Sequence, residues 1–300
     1  MLKCTSMNTI DNLYTNDACF LCPNLCGAAR AKTAGRCGVT NQIKIAKYYL
    51  HRYEEPIISG EKGAGTVFFC GCSLQCAFCQ NYEVSRNKRG KTVTVKELAE
   101  IFKRLEEDGA ATIDLVTPTQ YSLQIAEALD IYKPKIPVVY NTHGYERTEV
   151  LEIIDKYVDI YLPDLKYYSP ARAKRYCGKE NYFAVAIKAI EFMIKRKPII
   201  EEDGKLKQGV IVRHLVLPEN LDETGKILTA LKPIIGDAYL SIMSQYTPFG
   251  KIDGLKELQR KITRREYARA VEKAESLGFE KVFLQEFSSQ SEEFIPDWDF

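Results

Sequence analysis

Residues 67–81 read VFFCGCSLQCAFCQN, a short apolar run followed directly by a cluster of cysteines. Cys72, Cys76 and Cys79 are separated by three and then two residues, and the aromatic Phe78 precedes the last of them. The apolar run predicts a buried β-strand, and the cysteines stand where its carboxyl end should be. In parallel α/β proteins sites are built at that end of the strands, so these cysteines are candidate ligands.

The spacing of the three cysteines suits an iron–sulfur cluster with one open iron. Three thiolates this close together can hold three irons of a cubane and leave the fourth iron without a protein ligand. An open metal position can bind and activate a small molecule, as it does in catalytic zinc sites. Two alternatives stay open at this point. Cys70 would add a fourth thiolate for a structural zinc ion, or a four-cysteine cluster would act as an electron carrier.

The composition is that of an ordinary globular protein. Hydrophobic residues make up 45% and charged residues 27% of the 300 residues, and the net charge is +2. This charge balance predicts no nucleic-acid partner, and no apolar run approaches the roughly 20 residues of a membrane span. Residues 1–17 lack the apolar segment of a secretory signal. The ten cysteines therefore indicate metal or redox chemistry in a reducing cytoplasm rather than a disulfide framework.

A second group of cysteines lies near the N-terminus. Its members are Cys19, Cys22, Cys26 and Cys37. Four thiolates suffice for a structural zinc ion or an auxiliary Fe–S cluster, and their spacing alone does not choose between the two. The neighbouring glycines, which are typical of knuckle turns, favour zinc. Cys4, Cys70 and Cys177 are left over and are expected to be bystander thiols.

After a cysteine-rich segment, residues 1–60, strands and helices alternate. Strands are predicted at 67–69, 112–116, 137–140, 158–162, 210–217, 238–243 and 282–287. Helices are predicted at 94–107, 120–132, 147–156, 181–196, 221–232 and 263–277. Thr94 and Thr263 each precede a glutamate by three residues, which predicts capping boxes, and Asp203-Gly204 predicts a hairpin. About six β/α units and a last strand predict an α/β fold, a partial (β/α)6 TIM-type barrel over residues 61–300 with a C-terminal tail.

Nearly every predicted strand ends in reactive or hydrogen-bonding side chains. After the three cysteines, these groups are Thr117–Gln120, Asn141–Gly144, Asp164–Lys166, Arg213–His214, Ser244–Thr247 and Gln285–Glu286. Because the carboxyl ends of parallel barrel strands face the same way, these side chains are expected to converge over one cavity.

The Cys72-x3-Cys76-x2-Cys79 pattern with Phe78, after the first strand of a β/α barrel, resembles the radical S-adenosylmethionine (radical SAM) superfamily. Further stretches are similar to uncharacterised relatives of the pyruvate formate-lyase activating enzyme. They are residues 19–27, 35–38, 115–119, 139–145, 159–166, 212–218 and 242–248. The resemblance covers nearly the whole chain and favours the cluster with an open iron, with Cys70 as a bystander.

The resemblance implies a [4Fe–4S] cluster whose open iron binds SAM. It also implies a low-potential electron donor of the flavodoxin or ferredoxin type, and reductive cleavage of SAM to a 5′-deoxyadenosyl radical that takes hydrogen from a substrate. One substrate is the backbone glycine of a glycyl-radical enzyme, and the alternative is a small molecule or another peptide. A third, non-enzymatic interpretation is an Fe–S electron carrier or a zinc-stabilised binding module.

The resemblance also assigns cofactor contacts. Lys166 matches a lysine that pairs with the SAM carboxylate, and Thr117-Pro118-Thr119 replaces a Gly-Gly-Glu segment that binds the SAM amino group in activating enzymes. The full set of implied SAM contacts is Phe78, Thr117, Thr119, Asn141, Thr142, Lys166, Gln245 and Tyr246. No catalytic residue is assigned. His143 and His214, at strand ends, are expected either as proton donors or as hydrogen-bonded residues of the barrel mouth.

Overall fold

The computed structural model describes residues 12–86, 88–287 and 298. Its strands are β1 Ile43–His51, β2 Ala64–Phe69, β3 Lys91–Val93, β4 Ile113–Val116, β5 Val138–Thr142, β6 Ile160–Pro163, β7 Ile200–Glu202, β8 Lys205–Leu215, β9 Tyr239–Met243 and β10 Val282–Leu284. Its α-helices are α1 Pro56–Ser59, α2 Tyr82–Ser85, α3 Val95–Glu107, α4 Ser122–Ile131, α5 Thr148–Ile154, α6 Pro170–Cys177, α7 Tyr182–Arg196, α8 Leu221–Leu231 and α9 Arg264–Ser276. Cys4 and the C-terminal tail after residue 287, apart from Trp298, lie outside the described residues.

A parallel sheet forms the centre of the molecule. Its strand order is β10-β9-β8-β6-β5-β4-β2-β1-β3, and β7 pairs with β8 beside this path. From β2 to β10 along this order, each strand runs parallel to its neighbour. Helices connect successive parallel strands, so the described residues form six β/α units and a last strand. The predicted partial barrel is confirmed.

The central strands are buried on both faces, as covered parallel sheets require. Every residue of β2, β5 and β6 is buried. The covering helices are amphipathic, and α3 turns Leu98, Ile101, Phe102 and Leu105 inward. Both predicted capping boxes are present, at the first turns of α3 and α9. No helix in the described part of the chain is long and apolar enough to cross a membrane.

The structure contains elements that sequence patterns did not predict. β1 pairs antiparallel with β2 and with the short β3. α6 was also missed, and β10 ends at Leu284, three residues before the predicted end. The division of the chain after residue 60 stays a prediction, and β1, which lies before that point, belongs to the sheet. The predicted hairpin joins β7 to β8, with Asp203 at φ +51° and Gly204 at φ +71°, as a type I′ turn requires.

Candidate functional site

The carboxyl ends of the parallel strands surround a cavity of about 530 Å³. Residues at or just beyond the ends of β2, β4, β5, β6, β8, β9 and β10 contribute to its wall. The residues proposed from sequence that lie on this wall are Cys72, Cys76, Phe78, Cys79, Thr117, Asn141, Thr142, Lys166, Gln245 and Tyr246. The expected convergence is therefore present, while the ligand and cofactor roles of these residues stay predictions.

The cysteine loop, residues 71–80, follows β2 and carries the three clustered thiols. It begins at Gly71, whose φ is +81°, and a Cβ there would lie 2.7 Å from the Cys37 carbonyl oxygen. Only glycine fits that backbone and that close approach. The loop then turns so that the Leu74 N–H donates to Cys72 Sγ at 3.4 Å. The local sequence thus both orients a thiol and brings the loop against the N-terminal segment.

The donors of the cysteine loop fit an iron–sulfur cluster. The loop offers three thiols and no carboxylate, and the thiols share one wall of the cavity. Within residues 12–86, 88–287 and 298, no three His, Cys, Asp or Glu side chains converge as ligands of one metal ion would. A cubane takes one thiolate at each iron, so its ligands stand around it rather than at one point.

The surroundings of Cys76 favour its thiolate form. Its sulfur accepts a hydrogen bond from the Tyr167 hydroxyl at 3.0 Å. A hydrogen bond from the Cys177 thiol, the nearby Lys166 ammonium and the Tyr167 hydroxyl together lower the pKa of Cys76, against the opposing effect of burial. Burial raises the pKa of Cys72 to about 12, so without a metal that thiol is protonated. A bound metal would hold both as thiolates.

A buried network of charged side chains lies beside the cysteine loop. Lys166 Nζ contacts Asp164 Oδ2 at 2.6 Å, and the other Asp164 oxygen accepts from Arg213 Nε at 2.9 Å. Arg213 also donates to Asn141 Oδ1 at 2.6 Å and contacts Glu54 at 3.4 Å. The two cations hold the pKa of Asp164 below its usual value although burial opposes them. Lys166 and Arg213 are therefore fixed cations in the cavity wall.

The carboxyls on the far side of Arg213 behave differently from Asp164. Burial, and then the nearby Asp114 charge, raise the pKa of Glu54. Burial likewise raises the pKa of Asp114, although Arg213 and hydrogen bonds from Asn141 and Thr66 oppose it. The arrangement favours a shared proton in this part of the network.

Thr117 and Thr119 have different positions. Thr117 lies on the cavity wall at φ +58°, a conformation that costs a β-branched residue on the order of 1–3 kcal/mol. Thr119 is fully buried outside the wall, where its hydroxyl donates to Glu146 Oε1 at 2.5 Å. Thr142 lies on the wall and donates to the same glutamate oxygen. The structure therefore does not bring Thr119 to the cavity wall with the other proposed SAM contacts, and its cofactor role stays a prediction.

The aromatic side of the cavity is built around Phe78. Its ring packs edge-on against the rings of Tyr246, at 5.7 Å between centroids, and Tyr176, at 5.8 Å. The Tyr246 hydroxyl donates to the Leu258 carbonyl oxygen at 2.6 Å, which fixes the ring. Gln245 accepts from Gln285 through its side chain, at 3.1 Å, and so links β9 to the segment after β10.

The two strand-end histidines are placed differently. His143 lies on the wall, where Nε2 pairs with the Ser73 hydroxyl of the cysteine loop at 2.9 Å. His214 lies outside this cavity and is held by the Leu165 carbonyl and Thr224. Burial lowers the pKa of His143 to about 3 and that of His214 to about 4. Both rings are neutral near pH 7, so neither is a ready proton donor.

The four cysteines near the N-terminus, called here the N-terminal thiol group, also lie close to one another. The group consists of Cys19, Cys22, Cys26 and Cys37. A Cβ on Gly35 would lie 3.5 Å from both the Cys26 and Cys37 sulfurs. Burial raises the pKa of Cys22 to about 11; Asn24 hydrogen bonds oppose this, and the nearby Cys37 and Cys19 charges add to it. The structure thus brings all four side chains into one region, and their metal-binding role stays a prediction.

Several residues of the site were missed from the sequence. Glu54 precedes α1 in a segment with no strand-end signal, and Tyr167 follows Lys166 without any motif of its own. The buried Arg30 was not singled out either. Only the position of Tyr167, directly after the strand-end Lys166, offered a signal. Cys70 stays out of the wall, and its thiol donates to the Arg89 carbonyl oxygen at 3.0 Å.

Comparisons with known proteins agree with the motif. The radical SAM superfamily model matches residues 66–231, more than half of the chain. Uncharacterized protein MJ0674 of Methanocaldococcus jannaschii is 30% identical over 282 residues, which cover 91% of this chain and 78% of that protein. The pyruvate formate-lyase-activating enzyme of Clostridium pasteurianum is 26% identical over 181 residues, covering 57% of this chain and 69% of that protein.

Among solved structures, Streptococcus suis SuiB bound to S-adenosylmethionine aligns with a TM-score of 0.49 and 13% identity. The alignment covers 73% of this chain and 46% of that chain.

Proposed function

Because the chain belongs to the radical SAM superfamily, we propose that it binds a [4Fe–4S] cluster through Cys72, Cys76 and Cys79 and cleaves SAM reductively. The observation that carries this proposal is the position of the three thiols on one wall of a cavity that strand-end polar residues surround. Together, a cluster and SAM bound here would supply a 5′-deoxyadenosyl radical for hydrogen abstraction from a substrate.

The side chains around the cavity have distinct tasks in this proposal. The Lys166 ammonium binds the SAM carboxylate, since it is a fixed cation close to Cys76. Asp164, which contacts both Lys166 and Arg213, orients that ammonium. The rings of Phe78 and Tyr246 form an apolar surface on which a flat base can pack.

Neighbouring residues complete the SAM site. Asn141 and Thr142 at the end of β5 offer hydrogen bonds to the ribose and the methionine part. The backbone at Thr117 has the left-handed turn that glycine usually supplies, which supports its place at the SAM amino group. His143, neutral and bonded to Ser73, positions the cysteine loop rather than transferring a proton.

The finer points of the function are also proposals. The relative from Clostridium pasteurianum supports a glycyl-radical enzyme as the substrate. The alternative substrate is a small molecule or another peptide. A low-potential flavodoxin or ferredoxin would provide the electron. The nine described cysteines are free thiols, which suits a reducing compartment such as the cytoplasm.

The direct test is anaerobic reconstitution of the cluster, addition of SAM and dithionite, and chromatographic measurement of 5′-deoxyadenosine. We expect the nucleoside to form with the wild-type protein and with Cys70→Ser, the matched control. Replacement of Cys72, Cys76 and Cys79 by alanine should abolish it. Equal formation by the triple variant, or none by the wild type, would reject the proposal.

The substrate class can be separated in the same assay. An electron paramagnetic resonance signal that appears on an added partner protein indicates glycyl-radical activation. Nucleoside formation that rises with a low-mass compound, with no partner present, indicates small-molecule modification. A reduced cluster whose spectrum SAM leaves unchanged indicates an electron carrier and rejects the enzymatic proposal.

A further inference from the structure

Arg30 is a buried cation beside the N-terminal thiol group. Only 1% of the residue is exposed, and its guanidinium donates to the carbonyl oxygens of Gln120 at 2.6 Å and Thr40 at 2.5 Å. It also contacts Cys19 Sγ at 3.7 Å and lies over the Tyr121 ring at 5.6 Å. In the described part of the chain no carboxylate pairs with it.

A buried guanidinium without a counter-charge costs several kcal/mol, so buried cations are normally paired. Carbonyl oxygens and a neutral ring only partly compensate for the charge, and protonated thiols are neutral. Four thiolates around a zinc ion, or around an oxidised [4Fe–4S] cluster, carry a net negative charge. Such a centre would supply the partner that Arg30 lacks, and the thiols that act electrostatically on Arg30 are those of Cys37 and Cys19.

We propose that the N-terminal thiol group binds a thiolate-ligated metal centre of net negative charge, with Arg30 as its counter-ion, and that this centre holds the cysteine loop in place. The shared chemistry is thiolate coordination, and the metal is either zinc or iron in a cluster.

The backbone of this segment is already folded into a cradle. Turns bring its ends together, with the Gly27 N–H donating to the Cys19 carbonyl at 3.2 Å and the Gly38 N–H to the Gly35 carbonyl at 2.9 Å. Leu25 and Gly27 both have left-handed backbones, at φ +43° and +59°. The sulfurs do not yet meet at one point. Binding would therefore turn the thiols about their Cα–Cβ bonds while the backbone stays in place.

Among the described residues, three hydrogen bonds join residues 19–38, here called the N-terminal segment, to the cysteine loop. The Cys72 N–H donates to the Cys37 carbonyl oxygen at 3.0 Å, so a proposed ligand of each centre takes part in one bond. Asn24 Nδ2 donates to the Ser73 carbonyl at 2.8 Å and contacts Cys22 Sγ at 3.6 Å.

The third bond, like the first, has its donor in the cysteine loop. Gln75 Nε2 donates to the Arg36 carbonyl at 2.8 Å. A further connection passes through Gln120, whose carbonyl accepts from Arg30 and whose amide donates to the carbonyls of Cys70 and Gly71, both at 3.2 Å. The loop is thus bonded to the N-terminal segment along most of its first half. This second part of the inference rests on the proposed function, because it assumes that the loop carries the catalytic cluster.

The first experiment measures metal in the full chain with Cys72, Cys76 and Cys79 replaced by alanine. We expect about one zinc per chain, or about four irons with matching acid-labile sulfide, to remain bound. The same chain with the N-terminal thiol group also replaced by serine sets the background. Zinc or iron with sulfide above that background supports the site and identifies its metal, and neither above background overturns it.

The second experiment tests Arg30 and the loop. Arg30→Met should lose the N-terminal metal to a chelator roughly 10–100-fold more readily, as loss of an outer-shell partner typically does. Arg36→Met is the matched control, since Arg36 is exposed and only its carbonyl is used. Equal metal loss from both variants overturns the counter-ion role.

Hydrogen exchange then reports on the loop directly, without an activity assay and with the N-terminal thiol group unchanged. After the chelator removes the metal from the triple-alanine chain, exchange of the amides of residues 71–76 should accelerate. Unchanged exchange rejects the role of the metal in holding the loop. A chain that keeps its N-terminal metal yet makes no 5′-deoxyadenosine would reject the proposed function and leave the metal site standing.

Discussion

Lys166 places a buried cation between Asp164 and Cys76. If its ammonium binds the SAM carboxylate, Lys166→Met removes a charge-assisted hydrogen bond worth about 1.5–3 kcal/mol. We therefore expect SAM affinity to fall roughly 10–150-fold, measured by equilibrium dialysis on reconstituted protein. Lys174→Met is the control, because Lys174 pairs with Glu180 on the surface. An unchanged dissociation constant for Lys166→Met would remove this residue from the site.

Arg213 is the cation that the buried carboxyl groups of Asp164 and Glu54 share. Its side chain is 13% exposed and contacts Asp164 and Glu54. Arg213→Met would leave these carboxylates without their shared partner, so we expect the free energy of unfolding to fall by about 3–5 kcal/mol. Urea denaturation of the cluster-free, reduced protein measures this. Arg196→Met, which breaks an ion pair of a half-exposed side chain with Asp155, should cost less than about 1 kcal/mol. Similar losses for the two variants would contradict the argument.

At the scale of a secondary-structure element, the sequence predicted the capping box that begins helix α3. The Thr94 hydroxyl accepts from the Glu97 N–H at 3.2 Å, and the Thr94 N–H donates to the Glu97 carboxylate. Thr94→Ala should lower the free energy of unfolding by about 1 kcal/mol, because it leaves a helix N–H without its partner. Thr229→Ala, within α8, should have no effect or stabilise slightly, since alanine is the better helix former. The denaturant midpoints of the two variants measure the difference, and equal shifts of the midpoint would contradict the prediction.

The alternation of strands and helices was predictable because each element has its own apolar period. β1 was missed because its alternation is short: Ile43 and Ile45 flank the polar Lys44, and no strict alternation follows. Its pairing with β3 joins Ile43 to Val93, and local pattern does not report pairing between residues so far apart in the chain.

The site was predictable to the level of strand ends but not of individual side chains. Thr117 and Thr119 are two residues apart, yet only Thr117 reaches the cavity. The left-handed turn at Thr117 and the 3-10 turn Thr119–Tyr121 decide this, and neither has a sequence signature in Thr-Pro-Thr. Arg30 and Glu54 become site residues only through packing of segments remote in sequence, so spacing could not identify them.

At the scale of the whole molecule, the buried carboxyls make stability depend on pH. Burial raises the pKa of Glu146 from an ordinary 4.5 to about 7, although the Thr119 and Thr142 hydroxyls oppose it. The Tyr140 hydroxyl lies nearby, and no cation in the described part of the chain pairs with Glu146. The folded state therefore binds this proton more tightly than the unfolded state, so the stabilisation is complete below pH 4.5 and is lost as pH rises to 7.

Glu146→Gln removes that proton equilibrium and keeps an oxygen to accept the threonine hydrogen bonds. At about 1.4 kcal/mol per pKa unit, the variant should gain about 3 kcal/mol relative to wild type between pH 4.5 and pH 7. Urea unfolding of the reduced, metal-free chains across this range measures the difference. The control Glu152→Gln, on the exposed face of α5, should follow the wild-type profile. Parallel profiles for Glu146→Gln and wild type would show that Glu146 is ionised in the folded protein. The Thr119 and Thr142 hydroxyls would then be stabilising a charge rather than a neutral acid.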